Sequence, residues 1–303
     1  ANGFISTLTF LLVAFLYLLR DRSEIDVLHC MMIYPMGFLG YLVHTLTAIP
    51  YFAWIRGGDY YFMKKNRIKR WMIDQVFCDT LVLVQTDTIR KDVLREFPHA
   101  NLQVLGNGVE VPEKTASGDS IVFVGRLKRQ KGVHILLKAM ENISQELIIV
   151  GGGPERRQLE MTVREKNLNV EFAGEVDPDE VQEYLLNGSV FVLPSVGGEG
   201  LPNALLEAMA VGLPVIGTDT GGVKDTIVDG KTGYVVPPGN HDILTKRLNR
   251  IVTDDRTRSR FGRAAREYVA EYHSWEHIID ELNSVYTELV SKDKKHFSHD
   301  AYI

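Results

Sequence analysis

The sequence has little cysteine: Cys30 and Cys78 are the only two in 303 residues. That excludes a multi-disulfide scaffold and suits a reducing compartment such as the cytoplasm, although two cysteines still allow a single bridge. It also lacks an excess of positive charge. A net charge of -5 and a pI near 6.0 give no global attraction to a nucleic-acid backbone, so DNA and RNA are not expected partners. Long apolar runs are missing too. The run from Phe4 to Leu19 is interrupted by Ser6, Thr7 and Thr9 and falls short of the roughly 20 residues of a membrane span. It reads instead as a buried helix ending at Arg20, Asp21 and Arg22. No cationic region precedes it as a signal peptide requires, and the chain opens on Ala1 rather than Met, which reads as a fragment boundary. Internal repeats and low-complexity segments are absent.

What is present is the composition of a globular protein, 45% hydrophobic and 24% charged, at a length that suits two domains. From Ile25 onward, short apolar runs alternate with stretches of helical periodicity, the pattern of β-α units that build parallel sheets. A first series predicts strands at Val27 to Met31, Pro50 to Ile55, Thr80 to Val84 and Leu102 to Val104, and ends near Pro112. The polar stretch 113–119 then reads as a linker. A second series predicts strands at Ile121 to Val124, Leu147 to Val150, Val170 to Ala173, Val190 to Leu193, Pro214 to Gly217 and Tyr234 to Val236. The expected organisation is an α/β chain with an N-terminal lobe over 1–112 and a second lobe over 120–273. A helix over 274–291 follows, capped by Ser274 and striped with Trp275, Ile278, Ile279, Leu282, Val285, Tyr286 and Leu289. The charged tail 292–303 is expected to be mobile.

Two segments carry chemistry. The stretch from Val122 to Gly132 is a strand, a turn at Gly125 with two cations, Arg126 and Lys131, and a following helix. Such a turn aims both cations at a helix N-terminus, where free N–H groups already favour an anion, and a diphosphate fits there. The plain alternative is a solvated basic loop, the role given to Lys128 and Arg129. The second segment, Glu199-Gly200-Leu201-Pro202-Asn203 on to Glu207, places one carboxylate before a helix and another about a turn inside it. The amides of Leu201, Asn203 and Ala204 lie between them, free for an anion or sugar hydroxyls. Carboxylates near a helix start are commonly capping groups. Here Val196, Gly197 and Gly198 supply a Gly-rich approach that lets backbone come close to a ligand.

These residues resemble the signature of the retaining glycosyltransferases often called glycosyltransferase family 4. Two Glu with seven residues between them are followed by Ala-Met-Ala-x-Gly-x-Pro-Val-Ile, and Arg126 and Lys131 match the family's phosphate-binding pair. Thr220 to Asp225, Gly230 to Pro237 and the closing Trp275 helix lie in the same order. The resemblance implies a GT-B architecture, two Rossmann-like lobes facing a cleft, with the N-terminal lobe lacking its first strand and Gly-rich loop. It further implies that Glu207 bonds ribose hydroxyls, that Glu199 holds a donor-sugar hydroxyl, and that Arg126 and Lys131 neutralise the diphosphate without a metal or other cofactor. The implied reaction moves a sugar from a nucleoside diphosphate sugar, UDP preferred over GDP and ADP, to an acceptor hydroxyl with retention. The acceptor is not specified; cell-envelope polysaccharide and glycolipid synthesis suit such an enzyme. A nucleotide-sugar epimerase on the same scaffold, or a nucleotide-binding fragment without turnover, are the alternatives.

The sequence departs from that family at Arg56-Gly57-Gly58-Asp59, where many members carry His in the position of Arg56. A guanidinium contacts phosphate or sugar but is no base near neutral pH. Arg56 and Asp59 are read as cleft-lining, with a turn-stabilising pair as the alternative. His29 is read as structural. Gly151-Gly152-Gly153-Pro154 lacks the third glycine of a dinucleotide fingerprint, Arg156 standing in its place, which argues against a dehydrogenase. The cationic run from Lys64 to Trp71 suggests either peripheral membrane contact or a solvated helix face.

Overall fold

The computed structural model describes residues 2–61, 65–197 and 199–299, and the side chains of 2–8, 58 and 292–299 are left aside. The chain forms two compact units: Ala1–Gly106 with Ile279–Ile303, and Asn107–Ile278.

The first unit opens with α1 (Asn2–Arg20), then β1 (Leu28–Cys30), α2 (Phe38–Thr47), β2 (Tyr51–Ile55) and the short α3 (Gly58–Tyr61). There follow α4 (Arg67–Asp79), β3 (Leu81–Val84), α5 (Asp87–Glu96) and β4 (Asn101–Val104). The four strands pair in sequence order, all parallel. Every residue of β2 is buried, as expected of an inner parallel strand, and Tyr51, Ala53 and Ile55 pack against Ile73, Val76 and Phe77 of α4. The expectation that the first apolar run is a buried helix needs correction. One face of α1, with Leu11, Ala14, Phe15 and Leu18, packs on Leu39, Val43 and Ile49, while Phe10, Leu12, Val13, Leu16 and Tyr17 are each more than half exposed. Among the described residues, no helix is long and apolar enough to cross a membrane.

The second unit contains β5 (Ser120–Val124), α6 (Val133–Met140), β6 (Leu147–Val150), α7 (Arg156–Lys166), β7 (Val170–Gly174), α8 (Pro178–Leu186) and β8 (Gly188–Leu193). It continues through α9 (Asn203–Ala210), β9 (Val215–Thr218), α10 (Gly221–Thr226), β10 (Gly233–Val236), α11 (His241–Thr253) and α12 (Asp255–Tyr272). The last helix, α13 (Trp275–His299), continues past Ser291, where the apolar stripe ends. Residues 300–303 of the expected mobile tail lie outside the described ones.

The six strands run in the order β10-β9-β8-β5-β6-β7, all parallel. The chain therefore builds outward from β5 through β6 to β7, returns to the other side of β5, and builds outward again from β8. That reversal opens a crevice between the loops leaving β5 and β8, the place where open parallel sheets bind ligands. The central strands β6 and β8 are buried at every position, whereas the edge strand β7 is largely half-buried. β9 begins one residue after the expected Pro214, which has no N–H for the ladder but accepts from Phe191 N through its carbonyl. The polar stretch before β5 is tied into this unit: Ala116 N donates to Val211 O and Ser117 N to Leu186 O.

Candidate functional site

Two loops face each other across the crevice. The first leaves β5 at Gly125 and is held by buried Leu127, whose N–H donates to Gly152 O at 2.7 Å and whose carbonyl accepts from Glu155 N. A single 3-10 turn, Arg129–Lys131, then leads into α6. Gly132 ends that turn at φ 70°, and a Cβ there would lie 1.9 Å from Pro194 O in the loop after β8. The two loops can approach this closely only with glycine at that position. Val196 N donates to Gln130 O at 2.8 Å and fastens them together.

That approach brings Lys131 onto Glu199. The ammonium Nζ lies 2.9 Å from Oε2 and 2.8 Å from Oε1, with side-chain exposures of 26% and 9%. Ser195 Oγ donates to Oε1 at 2.6 Å. Ser195 is itself placed by Thr218, whose Oγ1 donates to Ser195 O and lies 3.3 Å from Thr220 Oγ1. Behind the carboxylate, Gly221 at φ 45° leaves room for the Glu199 carbonyl, which a Cβ would meet at 2.0 Å. Loops from β5 and β8 thus meet at the Glu199 side chain, and β9 with the segment after it supports that loop through Ser195 O and the Glu199 backbone.

Gly200, buried Leu201 and Pro202 carry the chain from Glu199 into α9, where Pro202 is the N-cap residue and supplies no side-chain cap. Leu205 N already donates to Pro202 O, which leaves the amides of Asn203 and Ala204 with the free donor capacity of a helix start. Asn203 and Glu207, four residues apart, share one face of the helix. Asn107 fixes the approach: its Nδ2 donates to Leu201 O at 3.2 Å and to Asn203 Oδ1 at 2.6 Å. The sequence reading missed Asn107; its one signal is an Asn set between Gly106 and Gly108.

Glu207 is half-buried, its carboxylate has no hydrogen-bond or ion-pair partner among the described residues, and burial pushes its pKa up. A carboxylate in that position has acceptor capacity to spare for hydroxyls brought by a ligand. Arg126 is exposed and has no ion-pair partner among the described residues. It leaves the end of β5 as a free cation, in contrast to Lys131. Gly125, Arg126, Lys131, Glu199 to Asn203 and Glu207 all belong to the second unit, around one crevice. Gly198 of the Gly-rich approach lies outside the described residues.

Arg56 and Asp59 belong to the other unit. Asp59 accepts from Ile33 N at 2.9 Å through Oδ2 and from Arg56 N at 3.0 Å through Oδ1, which pins the turn after β2. Burial pushes its pKa up, opposed by those backbone bonds. The Arg56 guanidinium lies 5.1 Å from the Trp54 ring. His29 stacks on Phe52 at 4.3 Å and its Nδ1 lies 2.8 Å from Tyr286 Oη, within an aromatic cluster. Burial and then the Arg56 charge lower its pKa. Of the cationic run, Lys64 lies outside the described residues. Arg70 is committed to Glu96 at 2.5 Å, and Lys69 lies 5.1 Å from the Tyr34 ring. Ile68 and Trp71 are exposed beside Lys65 and Arg67.

Residues 110–268 match the family described as glycosyl transferases group 1. The chain belongs to this family. It is 28% identical over 272 residues to an uncharacterized glycosyltransferase of Methanocaldococcus jannaschii, covering 89% of this chain and 77% of that one. It is also 28% identical to the alpha-maltose-1-phosphate synthase of Mycolicibacterium smegmatis over 81% of this chain and 72% of the relative. In fold it is similar to the Anabaena HepE protein in complex with UDP, with a TM-score of 0.80 at 16% identity, over 91% of this chain and 82% of the other. The glycosyltransferase expectation holds, and the α/β architecture of two parallel-sheet units is that of the GT-B enzymes among its structural neighbours.

Proposed function

We propose that this group 1 glycosyl transferase is a retaining, metal-independent enzyme of the family 4 type that moves a sugar from a nucleoside diphosphate sugar, UDP preferred, to an acceptor hydroxyl. The observation that carries the reading is the Lys131–Glu199 pair at the strand-order reversal, with the unpartnered Glu207 carboxylate on the helix that follows. In this reading Glu207 accepts from the ribose hydroxyls, and Glu199, held by Ser195 and Lys131, accepts from a hydroxyl of the donor sugar.

Cleavage of the glycosyl–phosphate bond puts negative charge on the departing diphosphate. Arg126, the Lys131 ammonium and the amides of Asn203 and Ala204 are prepositioned donors for that charge, and such preorganised electrostatics are worth most where water is excluded. This reading does not cast the two Glu as the acid and base of a glycosidase; Glu199, tied to a cation and a hydroxyl, serves to hold the donor sugar. The acceptor, by this reading, is a glycan, lipid or small molecule, as in cell-envelope polysaccharide or glycolipid synthesis in the cytoplasm, with peripheral membrane contact through the run from Lys64 to Trp71.

The test is the shift in melting temperature with UDP, GDP and ADP, each alone and as a sugar conjugate. Ligand at 100 times its Kd stabilises by about 2.7 kcal/mol. A shift selective for one nucleotide and removed by Glu207→Ala supports the site; no shift with any of them, at ligand concentrations into the millimolar range, overturns it. Product analysis with the selected donor separates transfer from release of a free epimer.

A further inference from the structure

A second cluster of reactive side chains lies in the first unit, and nothing in the donor-site reading uses it. Asp74 and Cys78 are four residues apart on α4, so they project from one face of that helix, one above the other. His99 comes from the turn between α5 and β4. One ligand atom from each, a carboxylate oxygen, a thiol sulfur and a ring nitrogen, lie within 4.8 Å of one another. His99 Nε2 is already 3.0 Å from Asp74 Oδ1.

We propose that Asp74, Cys78 and His99 form a three-ligand site for a divalent cation of the zinc class, with water as the fourth ligand, which ties α4 to the turn between α5 and β4. The ligand set decides the class of ion. Thiolate with imidazole suits zinc and its neighbours, whereas magnesium and calcium call for oxygen alone. In a tetrahedral site with bonds of about 2.0–2.3 Å, ligand atoms sit roughly 3.3–3.7 Å apart. Closing from the observed spacing needs only rotamer adjustment, since Cys78 is exposed and His99 is 46% exposed.

The frame under the cluster is fixed. The Phe97 ring packs on Phe77 of α4 at 4.9 Å, and the His99 ring meets Phe97 edge-on at 6.2 Å. Arg70, four residues before Asp74 on α4, is held by Glu96 and lies over the Phe97 ring at 4.5 Å, so its charge is already matched. Asp74 and Asp79 flank the thiol and give the spot negative character. Binding takes up the cation and releases the Cys78 proton to solvent, so occupancy rises with pH.

The test is titration of the reduced protein with Zn2+ by calorimetry and with Co2+ by absorption. One equivalent per chain is expected, with a thiolate-to-cobalt band in the near ultraviolet. Cys30 is buried, so that band reports Cys78. Cys78→Ser is expected to abolish the band, and His99→Ala to weaken Zn2+ binding tenfold or more. Circular dichroism and an unchanged nucleotide melting shift in both variants show that the fold and the separate donor site are intact. Absence of the cobalt band in the wild-type protein, or Zn2+ affinity unchanged in both variants, overturns the proposal.

Discussion

The Lys131 ammonium touches both oxygens of the Glu199 carboxylate across 68 residues of sequence, at 2.9 and 2.8 Å, with only 9% of the Glu199 side chain exposed. The pair joins the loops of β5 and β8. Whatever binds in the crevice shares its cation and its carboxylate.

Removing one partner of such a pair leaves a largely desolvated charge behind. Lys131→Ala is expected to lower stability by about 2 kcal/mol, less than for a fully buried pair because Lys131 keeps some solvent. Glu199→Gln in the same chain removes the orphaned charge. The double variant is therefore expected to be more stable than the sum of the single losses, as read by a double-mutant cycle in urea unfolding.

Glu207 gives a pH-dependent prediction. Burial raises its folded pKa above the ordinary 4.5, so between those two values the folded state holds a proton that the unfolded state has lost. Stability accordingly falls as pH rises through that window, and the ionised carboxylate is a liability above it. Glu207→Gln should raise the melting temperature at pH 7, with the gain fading as pH is brought below 4.5. The same variant should bind nucleotide about tenfold or more weakly, since hydrogen bonds to a charged group contribute about 1.5–3 kcal/mol. A lower melting temperature at pH 7 would contradict the burial argument.

Arg126 is the opposite case. It is exposed and unpaired among the described residues, so Arg126→Ala should leave stability within about 0.5 kcal/mol of the parent. Its effect should appear in ligand selectivity: preference for nucleoside diphosphate over nucleoside should fall, and fall further with Lys131→Ala. Calorimetric titration with both ligands reads the ratio directly.

Gly132→Ala tests the loop contact. The new Cβ meets Pro194 O at 1.9 Å on a left-handed backbone, whereas at Gly230, φ 72°, nothing lies within 4 Å. Gly230→Ala should cost about 1 kcal/mol for the backbone alone. Gly132→Ala should cost more and also reduce nucleotide affinity, because the Lys131–Glu199 contact depends on that approach. Melting curves with and without nucleotide separate the two effects.

The strands were legible because buried parallel strands announce themselves as β-branched apolar runs, and each of the six runs from Ile121 to Val236 contains a strand, with ends within two residues of the expected ones. Their order was not, since pairing between β5 and β8 is a long-range contact that no local pattern encodes. The same reason hid the Lys131–Glu199 bond and the Asn107 bonds to Leu201 and Asn203, although every one of those residues except Asn107 was singled out by its motif. For α1, periodicity in a nearly all-apolar run could not tell a helix covered on all sides from one covered on a single face, and contact with α2 decided it.

Each residue assigned here to the donor sits in one uninterrupted stretch of chain, the unit Asn107–Ile278. On the proposed reading, donor recognition is therefore encoded in one continuous block of chain. If that reading holds, recombination that joins another enzyme's flanking segments near Gly106 and Ile279 should carry the nucleotide preference across with this stretch.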